Sequence, residues 1–325
     1  MGTKTHPRTH LLIDGDIIAF SSAAAAQSIW VDDAGWHQPI ASEREGEAIV
    51  ENMLFGIKKG LKADSFEVII SDTDNWRKLV DPEYKMNRSD SARPLLLGYL
   101  KEYLVQKHGA YSWPGLEADD VLGIKMTWPR EATDGQAYQT PDSEWIYGIG
   151  SERRRLICVG RDKDFKSIPG LHHALKQDVG PKGEMLVREV SQWEADRFHM
   201  IQTLAGDRVD GYYGCPGIGM DRAATIIDCP VLLVPKAGMK TRGVNKGEAT
   251  LKWVAEPTMD YWACIVSHYQ KGLSSDQGQC SWEDAEREAL RTARLARILR
   301  YGEYDRETEE VTLWTPDKLK EVRRV

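Results

Sequence analysis

Three apolar runs in this chain each end in acid, and that pattern constrains the fold more than any other feature. HLLID (10–14) runs into Gly15 and Asp16, FEVIIS (66–71) into Asp72 and Asp74, and RLICVG (155–160) into Arg161, Asp162 and Asp164. Runs of this length and composition, bounded by turn residues, predict central strands of a parallel sheet. Between the first two, Ile49, Met53, Ile57 and Leu61 recur at helical spacing, so strand, helix and strand form an α/β unit. LLIDGDIIAFSSAAAA (11–26) reads as a buried strand leaving for a loop. In an open parallel sheet, ligands bind beyond the carboxyl ends of the strands. Three such strands would deliver their carboxylates to one edge. Solvated loop acids would account for any single pair, but fit poorly with three strands ending alike.

LEADDVLG (116–123) packs Glu117, Asp119 and Asp120 into four positions. In a helix over 117–127, Glu117 and Asp120 share a face and Asp119 points away. All three can reach one site if Glu117 stands at the helix start, which Pro114 and Gly115 favour. An acid-rich first turn also suits the helix dipole, a purely structural reason for the same residues. Hard divalent cations take oxygen ligands, and two of them about 4 Å apart can activate a water and stabilise a leaving oxygen. The candidate ligands are Asp14, Asp72, Glu117, Asp119, Asp120, Asp162, Asp164, Asp207 and Asp210.

Downstream, SQWE (191–194) predicts the start of a helix with Trp193, Arg197, Met200, Ile201 and Leu204 on one stripe, stopping at Gly206. SWED (281–284) opens another, with Ala285, Ala289, Ala293, Ala296 and Leu299 on one side and arginines on a solvated face. A boundary near 190 divides an α/β domain (1–190) from a helical region (191–325). Residues 129–154, polar and turn-rich, read as an insertion.

Five cysteines form no CxxC pair, so a reducing interior is the simplest setting. LLIDGDIIAFSSAAAA has the outline of a secretion signal, but two aspartates interrupt its apolar core. No window of about 18 apolar residues predicts a membrane span. The expected setting is the cytoplasm (of a bacterial host, if the chain is phage-encoded), and the expected state is a monomer. The net charge of −7 argues against a polyanionic partner, unless bound cations neutralise the acids locally.

The order of these motifs carries more information than any one of them. LLIDGD, IISDTDNWRKLVDPEYKMNR, LEADDVLG, VGRDKDF and GDRVDGYYGCPGIG together resemble the 5′-nuclease (flap endonuclease) superfamily, most closely the 5′→3′ exonucleases of short-tailed bacteriophages. They span about two-thirds of the chain, in the family's order. The resemblance implies a PIN-like, mostly parallel sheet flanked by helices, with a helix–hairpin–helix-type motif in a helical C-terminal region. It implies a two-metal phosphodiesterase using Mg2+ (Mn2+ could substitute), with Asp14, Asp72, Glu117, Asp119 and Asp120 serving one ion. Asp162, Asp164, Asp207 and Asp210 would serve the other. Asp16 and Asp74 fall beside the family's acids and read as supporting or solvated groups. The segment from Arg77 to Lys107 is locally basic, with Lys78 and Lys101 between, and resembles the family's arch or gateway, about 77–110. There Lys85 and Arg88 would contact the scissile phosphate and Tyr84 would stack on the terminal base, with Arg77 and Arg93 on DNA. Lys101 and Lys107 read as ordinary surface lysines.

CPGIGMDRAA resembles the family's hairpin, where Gly217 and Gly219 admit a phosphate and carbonyl oxygens often bind K+. Two departures stand out: Gly211, Tyr212 and Tyr213 follow the last acid, and Asp221 and Arg222 replace the usual lysine. Arg222 would take over the phosphate contact, and the K+ site is put in doubt. The basic stretch 235–247 reads as a loop that could touch duplex. The implied substrate is double-stranded DNA with a 5′ end or flap, with RNA–DNA hybrid as a secondary one, in phage DNA replication or recombination. Two rivals remain at this point. One is a haloacid-dehalogenase-like phosphatase with Asp14 as nucleophile, and the other is a catalytically inactive DNA-binding module.

Overall fold

The computed structural model describes residues 8–88, 92–128, 155–239, 241, 247, 249–275 and 278–321. The expected insertion at 129–154 lies outside the described residues. β1 (Thr9–Asp14), whose six residues are all buried, turns directly into α1 (Gly15–Ala26). This corrects the expected loop. Asp14 caps the helix and the alanines of SSAAAA carry it, since alanine loses no side-chain entropy on becoming helical. A β-hairpin of β2 (Gln27–Val31) and β3 (His37–Ala41) follows, then α2 (Glu43–Gly60), capped by Ser42. The fully buried positions of α2 are Gly46, Val50, Leu54 and Ile57, so its inward stripe is centred beside the expected Ile49 and Met53, which are partly buried.

β4 (Ser65–Ile69) is next, then the single turn α3 (Arg77–Val80), α4 (Leu97–His108) and α5 (Ala118–Thr127). Strands β5 (Arg155–Gly160), β6 (Gly170–Ala174) and β7 (Arg188–Val190) complete a sheet of order β4-β1-β5-β6-β7. β1 pairs in parallel with β4 and β5, and β5 in parallel with β6. Only β7 is antiparallel. Leu11, Ile13, Ile18, Val50, Leu54, Val68, Leu100, Leu104 and Ile157 form the core between sheet and helices. Gly15 is required where α1 leaves β1, because a Cβ there would lie 2.7 Å from the Val68 and Ile70 side chains.

The remaining elements are α6 (Gln192–Ala205), the ribbon of β8 (Gly206–Asp207) and β9 (Tyr212–Tyr213), and α7 (Met220–Asp228). They continue with the hairpin β10 (Val231–Met239) and β11 (Ala249–Pro257), α8 (Tyr261–Leu273) and α9 (Trp282–Ala296). Stretch 235–247 is therefore strand up to Met239, where a loop was expected. Ala285, Ala289 and Ala293 let α9 approach Met200, Ile201 and Leu204 of α6 and Ile265 and Val266 of α8 in one core. α9 ends at Ala296, so Leu299 lies beyond it. Arg287 on α9 is exposed, as the expected solvated face requires, whereas Arg297 and Arg300 past its end are buried.

Two compact units divide the chain less simply than a cut near 190. The first comprises the described residues of Met1–Asn75, Ala92–Gln192 and Ile298–Thr312, and the second those of Trp76–Ser91, Trp193–Arg297 and Leu313–Val325. The expected arch is split between them: Arg77 to Arg88 belongs to the second unit and α4 to the first.

Candidate active site

In the first unit the carboxyl ends of β1, β4 and β5 carry acids held by specific backbone bonds. Asp14 is 7% exposed and accepts the N–H groups of Asp16 (2.9 Å) and Ile17 (3.3 Å). Burial, then the nearby charges of Asp16 and Asp162, push its pKa up to about 7 against the pull of those two bonds. Asp72 accepts from Gly115 N–H at 2.7 Å, and its own N–H donates to Leu116, while Ala118 N–H donates to Ser71. These bonds tie the end of β4 to the start of α5. Glu117 is the N-cap residue of α5, as the sequence suggested, and its side chain makes no capping bond. Asp119 is half-buried, and after burial its charge and that of Asp14 raise the thiol of Cys158 in β5. Asp162 is exposed and accepts from Asp164 N–H at 2.9 Å, and Asp164 is half-buried. Asp14, Asp119 and Asp162 thus gather at the rim of β1 and β5.

Two acids have structural duties that the sequence did not reveal. Asp120 is fully buried, and its Oδ1 accepts the Leu299 N–H at 3.1 Å. Asp16 accepts from Ser71 N–H at 3.1 Å and pairs with Lys101 at 2.6 Å, so neither it nor Lys101 is a free surface charge. Asp74 is exposed, and so is Lys107. The signal for Lys101 was its position one helical stripe over from Leu100 and Leu104, but the partner acid lies far away in sequence.

The rim's donor chemistry suits a hard cation: its groups are carboxylates, and one of them is costly to ionise without a neighbouring positive charge. Among the described residues, no three His, Cys, Asp or Glu side chains close into a ligand set as they stand. The rim is an open array that an ion and its waters would have to bridge.

In the second unit, residues 84–88 are fastened to 207–211. Lys85 N–H donates to the Asp210 carbonyl at 2.9 Å. Asn87 Nδ2 donates to the carbonyls of Arg208 and Val209 at 3.1 and 3.2 Å. The Asp210 carboxylate accepts from Tyr84 OH at 3.2 Å and from the Arg88 guanidinium, and lies 3.5 Å from Lys85 Nζ. Lys85 has φ +59°, a left-handed backbone that costs a side-chain-bearing residue about 1–3 kcal/mol. Gly211, at φ +81°, lets the ribbon turn against Lys85. Asp207 is buried and accepts from Val209 N–H at 2.8 Å.

Two expected nucleic-acid contacts are corrected here. Tyr84 is 3% exposed, its ring stacked 6.2 Å from Tyr212 with Arg77 and Lys85 over it, so no face is open to a base. Arg77 is also 3% exposed: its Nε donates to Leu295 carbonyl at 2.9 Å and its Nη2 to Arg297 carbonyl at 2.5 Å. Its charge satisfies carbonyls at the C-terminal end of α9 rather than a phosphate. Arg93, in the first unit, is exposed. At the turn before α7, Gly217 has φ +74° and Gly219 is the N-cap residue, with open space at both Cβ positions. Arg222 Nη1 folds back to the Gly217 carbonyl at 3.2 Å.

A mostly parallel sheet with acids at the ends of β1, β4 and β5 is the frame that the 5′-nuclease resemblance led us to expect. The comparisons place the chain within that superfamily. It is 30% identical over 321 residues to the exodeoxyribonuclease of Enterobacteria phage T3, covering 94% of this chain and 92% of that protein. It is equally 30% identical over 321 residues to the exonuclease of Escherichia phage T7, covering 94% and 93%. The phage T5 D15 protein, crystallised with metal ions, shares the fold at a TM-score of 0.51 and 16% identity over 90% of each chain. No family profile matches the chain. The chain belongs to the 5′-nuclease superfamily, with phage exonucleases as relatives, and is a 5′→3′ exonuclease-class hydrolase. That membership sets the phosphatase reading aside. Among the described residues no helix is long and apolar enough to cross a membrane.

Proposed function

We propose that the chain hydrolyses double-stranded DNA from 5′ ends or flaps with divalent cations held at the carboxylate rim. The observation that carries this is Asp14: a buried carboxylate raised to about pKa 7 by burial and by Asp16 and Asp162, at the strand end where ligands bind. A positive ion would relieve that repulsion. Asp14, Asp72, Glu117, Asp119 and Asp120 are the proposed groups for one ion. Asp162 and Asp164 are proposed for the other. The relatives' names support DNA as the substrate, and the T5 protein's co-crystallisation supports metal. Mg2+ is the proposed ion, because it suits carboxylates and keeps several waters. When bound, it supplies charge for the attacking water and the leaving oxygen.

The chain's own groups do the rest. Lys85 and Arg88 would hold the scissile phosphate and take up charge as it develops there. Arg93 and the Gly217–Gly219 turn with Arg222 would hold backbone phosphates, giving salt-dependent binding without base readout. A K+ ion at that turn would compete with Arg222 for the Gly217 oxygen. RNA in RNA–DNA hybrids is a proposed secondary substrate, since such contacts read backbone, and the proposed working form is a monomer in phage DNA replication or recombination.

The test uses 5′-labelled and 3′-labelled duplexes with Mg2+ or chelator, comparing wild type with Asp162→Asn and Lys85→Ala. Asp162→Asn should abolish cleavage and leave DNA binding intact, and Lys85→Ala should slow cleavage by about 100-fold. Cleavage that survives in chelator, or that proceeds only from 3′ ends, would end this reading.

A further inference from the structure

We infer that the β10–β11 hairpin is a further contact for the phosphate backbone of duplex DNA, made through Lys236 and Lys252. The inference deepens the proposed function and rests on it. The hairpin pairs antiparallel from Val231 with Pro257 to Met239 with Ala249, and Lys236 stands directly opposite Lys252. Like charges opposed across two strands cost stability. Chains keep such breaches of a local rule chiefly where function requires them. Both lysines are exposed, in a chain whose net charge is −7.

The two side chains diverge on one outward face. Leu233 is buried, and its N–H donates to Ser267 Oγ of α8 at 3.0 Å. Alternation along the strand therefore turns Lys236 and Lys252 to the face away from α8. Lys236 Nζ leans toward the base of the hairpin, 3.5 Å from Glu256. Exposed pairs of this kind hold weakly, so a phosphate can take the Lys236 ammonium. The Lys252 stem lies over Gly238, where a Cβ would stand 3.1 Å from its Cδ, so glycine leaves the stem its room. Lys252 thus points away from Glu256, and among the described residues no carboxylate pairs with it.

The hairpin also continues a surface already proposed for phosphate. β10 follows α7 after only Cys229 and Pro230, and the Gly217–Gly219 turn opens α7. Exposed Arg222 of α7 and exposed Lys271 of α8 both act on His268, whose pKa is lowered first by burial and then by Lys271 and Arg222. Turn, α8 and hairpin belong to one unit, and each offers an outward cation. The major groove of B-DNA admits a two-stranded element of this kind, so shape and charge agree.

The experiment measures binding of the full chain to a blunt DNA duplex in chelator, from about 50 to 200 mM KCl. It compares wild type with Lys252→Ala, the Lys236→Ala/Lys252→Ala double variant, Lys252→Arg and Glu256→Gln, with melting curves to check each fold. Each lysine that meets a phosphate should lower the slope of log affinity against log salt by about 0.9, so the double variant should lose about 1.8. Lys252→Arg should keep the wild-type slope. Glu256→Gln should tighten binding, because it removes a negative charge beside the phosphates. An unchanged slope in the double variant, whether the hairpin meets a protein or only solvent, would overturn the inference. Cleavage of duplex by the wild type would then leave the proposed function standing. A wild type that binds no duplex, with or without Mg2+, would end both.

Discussion

The carboxylate of Asp120 accepts the backbone N–H of Leu299 at 3.1 Å, joining positions 179 residues apart. It couples the acid-bearing helix α5 to a late segment of the chain that packs on its Gly123, where a Cβ would lie 2.4 Å from the Leu299 carbonyl. Neighbouring acids on one helix therefore have different duties.

Asp120→Ala should destabilise the fold by roughly 1–3 kcal/mol, because it leaves a buried N–H without its acceptor. Asp119→Ala, at a half-buried site, should lose cleavage at a smaller stability cost than Asp120→Ala. Urea denaturation monitored by tryptophan fluorescence, set beside a nuclease assay, separates the two.

Lys125 is fully buried in α5, and its Nζ lies 2.7 and 2.6 Å from the two oxygens of Glu67 in β4. Tyr111 OH donates to the same carboxylate at 2.8 Å. Burial acts to raise Glu67, but Lys125 and His10 outweigh it and hold the carboxyl below its ordinary range. Lys125→Met alone should cost about 3–5 kcal/mol, since it removes the buried glutamate's ammonium partner. Lys125→Met with Glu67→Leu should cost much less. Equal losses in the single and double variants would contradict this account.

Arg77→Met should lower stability by roughly 2–5 kcal/mol through two carbonyls that lose their donor. The salt dependence of DNA binding should stay the same, because Arg77 releases no counterion from a phosphate. A smaller slope of affinity against salt would return Arg77 to the DNA surface.

His172 is held below the ordinary histidine pKa, first by burial, against the pull of the Ile168 carbonyl at 2.8 Å and of Asp178. The folded chain therefore binds fewer protons at this site than the unfolded one. The neutral ring's contribution is fully present above about pH 6.5 and is lost as the pH falls from there toward the folded pKa. Unfolding free energies from pH 7.5 to 5 should fall more steeply for wild type than for His172→Gln. Parallel curves would show that the ring takes up its proton equally in both states.

Much of the frame was legible locally. HLLID, FEVIIS and RLICVG are buried strands because continuous apolar runs can only be satisfied inside a sheet covered on both faces. Ser281, with an acid in the following turn, marks a helix start that the structure retains. The helix at 15–26 was missed because its alanines and serines carry little amphipathic contrast, so periodicity had nothing to report. Tyr84 and Arg77 were read as nucleic-acid contacts from their residue types, and nothing local said that Tyr212, Leu295 and Arg297 would enclose them.

By itself the sequence determined the parallel strands, the acids at their ends and the family, because apolar runs, turn residues and motif order are properties of neighbouring positions. Only the tertiary structure decided which charges are spent. Asp120 on Leu299, Asp16 on Lys101 and Asp210 on Lys85 and Arg88 are pairings across long stretches of chain. The strength of a charge's interaction depends on its distance from others in space and on its burial, and neither is written in its position along the chain.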